Sequence, residues 1–250
     1  MAYKQMASLY DQLMADAPCD AWVAFTLEAF RRSGKQITQV ADLGCGTGEI
    51  TKRLAKAGYT MRGVDYSADM LAHADRKANE EKLDIQWLCQ DLTELEGLEN
   101  LDAAVSYCDV INYIVSEDEL AAVFGRVAGS LKVGGLFIFD VHALFHVQEH
   151  LINQTFADVT DEASYIWFCA EGDHPGEMYH DLTFFALNGT NYEKFTEFHQ
   201  QRTYSIAFYQ QLLKDAGFDN IRVYADFSFD AENIDEEAER IFFVTEKRSE

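Results

Sequence analysis

The segment Val40-Ala-Asp-Leu-Gly-Cys-Gly-Thr-Gly-Glu-Ile50 constrains this chain more than any other. Val40 to Leu43 reads as a short buried strand and Glu49 to Ala57 as a helix stopped by Gly58. Gly44, Gly46 and Gly48 join the two. Glycine lets a chain turn sharply and lets a ligand approach the backbone, because no Cβ intervenes. Strand, glycine loop and helix in that order suit an open α/β sheet, and the following residues keep the rhythm. Thr60 to Val64, Ile85 to Cys89, Leu101 to Tyr107 and Leu136 to Val141 read as further strands. Ser67 opens a helix to Asn79. Ser116 and Glu119 form a capping box that opens another to Leu131, ended by Gly134-Gly135. The alternation predicts a parallel sheet with helices on both faces.

Ahead of this series, Tyr3 to Ala15 is a helix candidate. Asp20 offers an N-cap for a second helix, with Trp22, Val23, Leu27 and Phe30 at helical spacing and Gly34 as its stop. Beyond Val141 the rhythm breaks. His142 to Ile152 has helical character, while Ser164 to Ala170, Glu177 to Leu187 and Tyr192 to Tyr204 read as extended segments. Asn188-Gly189 is a hairpin turn between the last two. Ser205 then caps a helix to Ala216, Ile221 to Phe227 is a strand, Asp230 to Glu239 an acidic connector, and Ile241 to Thr245 a final strand. So short a connector demands antiparallel pairing of the last two strands. The expected organisation is a core of residues 1–142 and 205–250, interrupted by a small antiparallel β subdomain over 143–204.

Composition narrows the partners. The 250 residues are 48% hydrophobic and carry a formal net charge of −23, enough apolar material for one compact core under a very acidic surface. Such a surface repels phosphate backbones, so nucleic acid is a poor partner. No apolar run approaches the ~20 residues needed to cross a bilayer, and no basic segment leads into an apolar one at the start. Five scattered cysteines without a CxxC pair suit reduced thiols in a cytoplasm.

The acids near the glycine loop are more telling. A dinucleotide fingerprint wants a glycine where Glu49 stands, so that a pyrophosphate can rest on the helix N-terminus. A carboxylate there repels phosphate and argues for a phosphate-free ligand; a plain tight turn is the bland alternative. Gly63-Val-Asp65 ends the next strand with an acid about 20 residues beyond Gly44, where a carboxylate can accept both hydroxyls of a ribose. Gln90-Asp91-Leu92 ends the third strand with a carboxylate and an apolar neighbour, suited to the amino group and ring of an adenine. With Asp42 they place three acids along the edge where open parallel sheets bind ligands.

Together Asp42-Leu-Gly-Cys-Gly-Thr-Gly48, Gly63-Val-Asp65-Tyr-Ser67 with Met70 following, Gln90-Asp91-Leu92 and Leu131-Lys-Val-Gly-Gly-Leu136 resemble the class I S-adenosylmethionine-dependent methyltransferases. The resemblance runs over roughly residues 36–142 and the terminal helix and strands. It implies an α/β, Rossmann-like three-layer sandwich whose seven-stranded, mostly parallel sheet has an antiparallel last strand. The implied reaction is transfer of a methyl group from S-adenosylmethionine, leaving S-adenosylhomocysteine, to O, N or C of a small-molecule acceptor. It implies roles as well. Gly44, Cys45, Gly46 and Gly48 lie along the methionine part, and Asp42 supports the amino group or the loop. Asp65 holds the ribose, Tyr66 and Met70 flank the adenine, and Gln90, Asp91 and Leu92 meet its edge. The first two helices resemble a lid, from which Tyr10 could reach the cofactor, with plain packing as the stronger alternative. Because charge neutralises as the methyl leaves sulfur, alignment matters more than an electrostatic clamp, and no single acid or base is indispensable.

The acceptor belongs beyond the fourth and fifth strands, near Tyr107-Cys108-Asp109, Asn112-Tyr113 and Asp140-Val-His142. Asp109 and His142 are candidate general bases, with capping or positioning as the plainer alternative. Cys108 reads as a small residue beside the methionine tail, since nothing basic flanks it to lower the thiol's pKa. His142, His146 and His150 are four apart and share a helix face, as metal ligands can. No Cys or carboxylate pattern accompanies them, so no metal is expected. The aromatics of the insertion, Tyr165, Trp167, Phe168, Tyr179, Phe184, Phe185, Tyr192, Phe195, Phe198 and Tyr204, read mostly as packing, with two or three lining a roof over the acceptor. Methylation of tRNA, rRNA or protein is one alternative and a cofactor-binding module without transfer another; a nicotinamide oxidoreductase is more remote. A cytoplasmic monomer or homodimer is expected.

Overall fold

The computed structural model describes residues 17–161, 163–230, 234 and 238–249. The helix expected over Tyr3 to Ala15, Tyr10 included, lies outside them, as does most of the acidic connector. Strands β1 (Gln39–Leu43), β2 (Thr60–Asp65), β3 (Ile85–Cys89), β4 (Leu101–Ser106), β5 (Leu131–His142), β10 (Phe218–Ala225) and β11 (Arg240–Lys247) form one sheet, and β6 (Gln154–Val159), β7 (Ala163–Glu171), β8 (Glu177–Asn188) and β9 (Asn191–Arg202) a second. The large sheet runs in the order β3-β2-β1-β4-β5-β11-β10. β1, β2, β3, β4 and β5 pair in parallel, while β11 lies antiparallel between β5 and β10. This is the Rossmann-like α/β arrangement expected.

Both faces of the large sheet are covered, as its two-sided apolar strands require. Along β5, Phe137, Phe139 and Val141 join one core with helices α4 (Glu117–Ser130) and α5 (Ile206–Asp215). Leu136 and Ile138 point the other way, against α1 (Cys19–Ser33) and α2 (Glu49–Lys56). α3 (Ala68–Glu80) links β2 to β3. The expected serine caps form: Ser67, Ser116 and Ser205 accept from the amides of Met70, Glu119 and Phe208.

Local signals misled at several boundaries. α1 starts after Pro18 with no side-chain cap, and Asp20 sits in its first turn paired with Arg53. Gly134-Gly135 does not end α4. The helix stops at Ser130 and β5 begins at Leu131, with the glycines inside an irregular stretch of its pairing with β4. The helical character of 142–152 shrinks to one turn, Leu144–His146, running into a π-helical turn, Val147–Leu151. β10 ends at Ala225, because Asp226 and Phe227 adopt positive φ (46° and 62°) and turn the chain.

The four-stranded sheet is antiparallel throughout, in the order β6-β7-β8-β9, and Asn188 pairs with Asn191 across the expected hairpin turn. Its alternating faces sort the aromatics. Tyr165, Trp167, Phe184 and Phe195 share the face that also bears Cys169, His180 and Gln201. Phe168, Tyr179, Phe185, Tyr192 and Phe198 share the opposite one, which is more exposed.

Candidate active site

The glycine loop leaves β1 at Gly44, whose amide, with that of Cys45, donates to Val64 O of β2 (2.7 and 2.9 Å). Gly44, Gly46 and Gly48 all have positive φ, and α2 starts directly after Gly48. Among the described residues, a Cβ at Gly46 would meet nothing within 4 Å, so they leave the loop open on that side. Asp65, at the end of β2, ties the loop down. Its Oδ2 accepts from the Gly46 amide (2.8 Å) and its Oδ1 from the Ser67 amide (2.9 Å). Burial pushes the Asp65 carboxyl up from its ordinary range, against those two amides.

Asp42 is buried behind the loop, where its Oδ2 accepts from Thr51 Oγ1 of α2 at 2.5 Å. Burial, with Asp65 nearby, lifts its carboxyl to about 6. Glu49 does not face the loop's open side as its place in the sequence implied. Lys52 and Arg53 bind its carboxylate at 2.7 and 2.6 Å, and Lys77 adds a third contact. Burial opposes its charge, but those cations outweigh it and hold the carboxyl at about 2.

The remaining predicted residues divide. Tyr66, directly after Asp65, is 79% exposed, with Met70 half-buried one helical turn on. Asp91 is exposed and caps the short 3-10 turn Leu92–Glu94 through Thr93. Leu92 is buried in the core, and Gln90 pairs with the backbone of Glu96. Asp42 and Asp65 therefore come together, whereas Asp91 serves its own turn.

A second cluster lies where β4 and β5 end. Cys108 and Asp109 both have positive φ (58° and 52°), a strained pair that turns the chain immediately after β4. Burial, together with Asp140 and Asp109, pushes the Cys108 thiol well up, so it is no thiolate nucleophile. Asp109 Oδ1 receives Arg240 Nη2 (3.1 Å), its Oδ2 receives Gln201 Nε2 (2.7 Å), and His142 Nε2 stands 3.4 Å from Oδ2. Burial works against its charge, but His142 and Arg240 prevail and keep Asp109 ionised far below the usual carboxylate range. An acid held that low is a poor proton acceptor.

Arg240 also binds Asp140 Oδ2, which receives Trp22 Nε1 at 3.3 Å, and its guanidinium lies over the Trp22 ring. Asp140 is fully buried, and among the described residues its Oδ1 has no hydrogen-bond partner. Asn112 turns out to be structural: its Oδ1 holds the His142 amide and its Nδ2 the Arg202 carbonyl, both at 2.9 Å. From the second sheet, His180 has electrostatic contact with His142 and Asp109, accepts Trp167 Nε1 at 2.9 Å and neighbours Gln201. His142, His146 and His150 do align, with ring centroids 6.5 and 5.5 Å apart. Among the described residues no group of His, Cys, Asp and Glu is placed to hold a metal.

Trp22, His180, Gln201 and Arg240 are the members that sequence reasoning missed. Only Arg240 had any signal, as the cation that follows an acidic run and opens the last strand.

The donor set suits an adenosyl cation. Carboxylates border the loop, its cationic neighbours Lys52, Arg53 and Lys77 engage Glu49, and the side of Gly46 is clear for a ligand. Comparison with known proteins agrees. A methyltransferase domain family matches residues 40–135. The chain is 40% identical to a protein of Geobacillus sp. (strain WCH70), over 99% of this chain and 100% of that one. It is 38% identical to YqeM of Bacillus subtilis (strain 168), over 99% and 98%. Both carry the name "Putative methyltransferase". An S-adenosylmethionine-dependent methyltransferase from Clostridium acetobutylicum ATCC 824 superposes with a TM-score of 0.90, at 28% identity over 100% of each chain. CalS10 of Micromonospora echinaspora, an amino pentose methyltransferase with S-adenosylmethionine bound, shares the fold at a TM-score of 0.78 and 13% identity, over 96% of each. The chain belongs to the class I S-adenosylmethionine-dependent methyltransferases and is an enzyme that uses S-adenosylmethionine as cofactor.

Proposed function

We propose that this enzyme methylates a small molecule seated above the ends of β4 and β5, under the inner face of the four-stranded sheet. Asp65 supports the cofactor half of this reading: a carboxylate that already organises Gly46 and Ser67 sits beside an open glycine loop. In that reading Gly44, Cys45, Gly46 and Gly48 flank the methionine part, and Asp65 receives the ribose hydroxyls. Tyr66 and Met70 cover the adenine, and Gln90, Asp91 and Leu92 border it. Asp42 acts through Thr51 to brace the loop. Cys108 is a small neighbour of the tail. When bound, S-adenosylmethionine supplies an electrophilic methyl on a sulfonium.

At the acceptor end, Arg240 and Gln201 hold Asp109 charged, and Asp109 draws the proton of a neutral His142 onto Nε2. The other ring nitrogen, Nδ1, is then free to take a proton from the acceptor. Residues 143–204 act as the cover that selects it. A macromolecular substrate such as RNA fits less well, because the −23 charge repels phosphate. No helix among the described residues is long and apolar enough to cross a membrane, and five unpaired thiols suit the cytosol. Calorimetry with S-adenosylmethionine, S-adenosylhomocysteine and NADH tests the cofactor half: the first two bind and NADH does not. Transfer of labelled methyl to a metabolite pool, compared with a tRNA pool, tests the acceptor half. Label confined to tRNA would replace the small-molecule reading.

A further inference from the structure

We infer that the group methylated is an amine, which arrives as an ammonium beside Asp109, His142 and Asp140. This rests on the reading above and adds the substrate class. The cluster holds two carboxylates, Asp109 and Asp140, and among the described residues Arg240 is the one Lys or Arg bonded to either. With His142 in the neutral form that accepts a proton, the other imidazoles near the cluster do not make up the difference. Burial pushes His180 down to about 4 and lowers His146 as well, so both are neutral near pH 7. Among the described residues, Asp140 Oδ1 is buried without a donor, which is unfavourable for a polar group and more so for a charge. Burial, with Asp109 nearby, raises the Asp140 carboxyl against Arg240, so the described site is short of positive charge.

Methyl transfer to different nucleophiles disposes of charge differently. With a hydroxyl, the sulfonium's positive charge vanishes as the proton departs. With an amine, it moves onto the product nitrogen and stays in the site. The ammonium first gives one proton to His142 Nδ1, which Asp109 steadies as imidazolium. The freed nitrogen lone pair then forms the N–C bond, while the C–S bonding pair returns to sulfur. The imidazolium releases its proton to solvent. A surplus of fixed negative charge favours the arriving ammonium, offsets its repulsion by the sulfonium, and stabilises the cationic product. The same field repels a carboxylate or phosphate acceptor.

The test incubates the full chain with methyl-labelled S-adenosylmethionine and an aqueous metabolite extract, then runs the labelled products on a cation exchanger at neutral pH. A product that is retained and survives mild alkali is expected. Label in an unretained ether, in an alkali-labile ester, in macromolecules or in nothing overturns the amine. Calorimetry on the same preparation separates this from the broader reading. Cofactor binding with the wrong product removes the amine alone, whereas absent cofactor binding removes the methyl-transfer reading. His142→Gln should lower labelling at least about tenfold near pH 7, and far less at alkaline pH, where amines lose the proton unaided. Its affinity for S-adenosylhomocysteine should stay within about threefold, and equal loss at both pH values overturns the base. Nitrogen NMR gives an independent readout: His142 Nδ1 should carry no proton in the isolated protein, and a protonated Nδ1 overturns the arrangement.

Discussion

Trp167 leaves His180 one neutral tautomer. An indole N–H only donates, so Nδ1 must accept it and Nε2 carries the proton. Burial holds this imidazole at about 4, against an ordinary 6.5, so the folded state favours its neutral form. The unfolded chain binds the proton first on acidification. The contribution is therefore complete above about pH 6.5 and lost as pH falls through about 4, up to ~3 kcal/mol. Urea midpoints near pH 7.5 and pH 5 should differ less in His180→Phe than in the parent; an equal drop in both would contradict this. Asp65 offers a second test at this scale. Asp65→Ala should weaken S-adenosylmethionine binding at least about tenfold by calorimetry, through lost charge-assisted bonds, and an unchanged dissociation constant would misplace the ribose. Asp65 was legible because it ends a strand at a fixed distance from a glycine loop. Arg240 was not, because its partners lie 131 and 100 residues away and no local pattern announces them.

The glycine loop is braced by a strand that does not adjoin β1. The Trp87 side chain of β3 lies across β2, and a Cβ at Gly63 would come within 2.3 Å of its indole ring, while one at Gly48 would come within 2.7 Å of it. Gly63 is thus required by a neighbour's bulk as much as by its motif. Gly63→Ala should destabilise the protein by about 1–3 kcal/mol, with partial rescue by Trp87→Leu in the same chain, read from thermal or urea midpoints. Additive losses would show the two are not in contact. From β1 to β3 the elements could be read from sequence because their caps and stops are local. β6 could not: Gln154, Thr155, Ala157, Asp158 and Val159 are all exposed on an edge strand, so no alternation marks it. The glycine pair 134–135 imitates a helix stop, yet pairing with β4 and β11 carries β5 past it. Two-neighbour pairing of that kind is tertiary information.

For the molecule as a whole, a charge of −23 repels itself in the compact state. Raising salt from about 0.05 to about 0.5 M shortens the screening length severalfold and should raise the thermal midpoint by a few degrees. A flat or falling midpoint would show that the acids are already compensated. The same scale explains why the parallel run of the large sheet could be anticipated and its junction with the small one could not. The first follows from repeated βα units, the second from contacts such as Gln201 with Asp109, which join parts of the chain 92 residues apart. The three tryptophans are distributed usefully across this architecture. Trp87 backs the glycine loop, Trp22 seals the Arg240–Asp140 pair, and Trp167 abuts His180 in the second sheet. Replacing any two with phenylalanine would leave a single tryptophan, so emission excited beyond the tyrosine band would report separately on the glycine loop, the Arg240–Asp140 pair or the second sheet, without a dye.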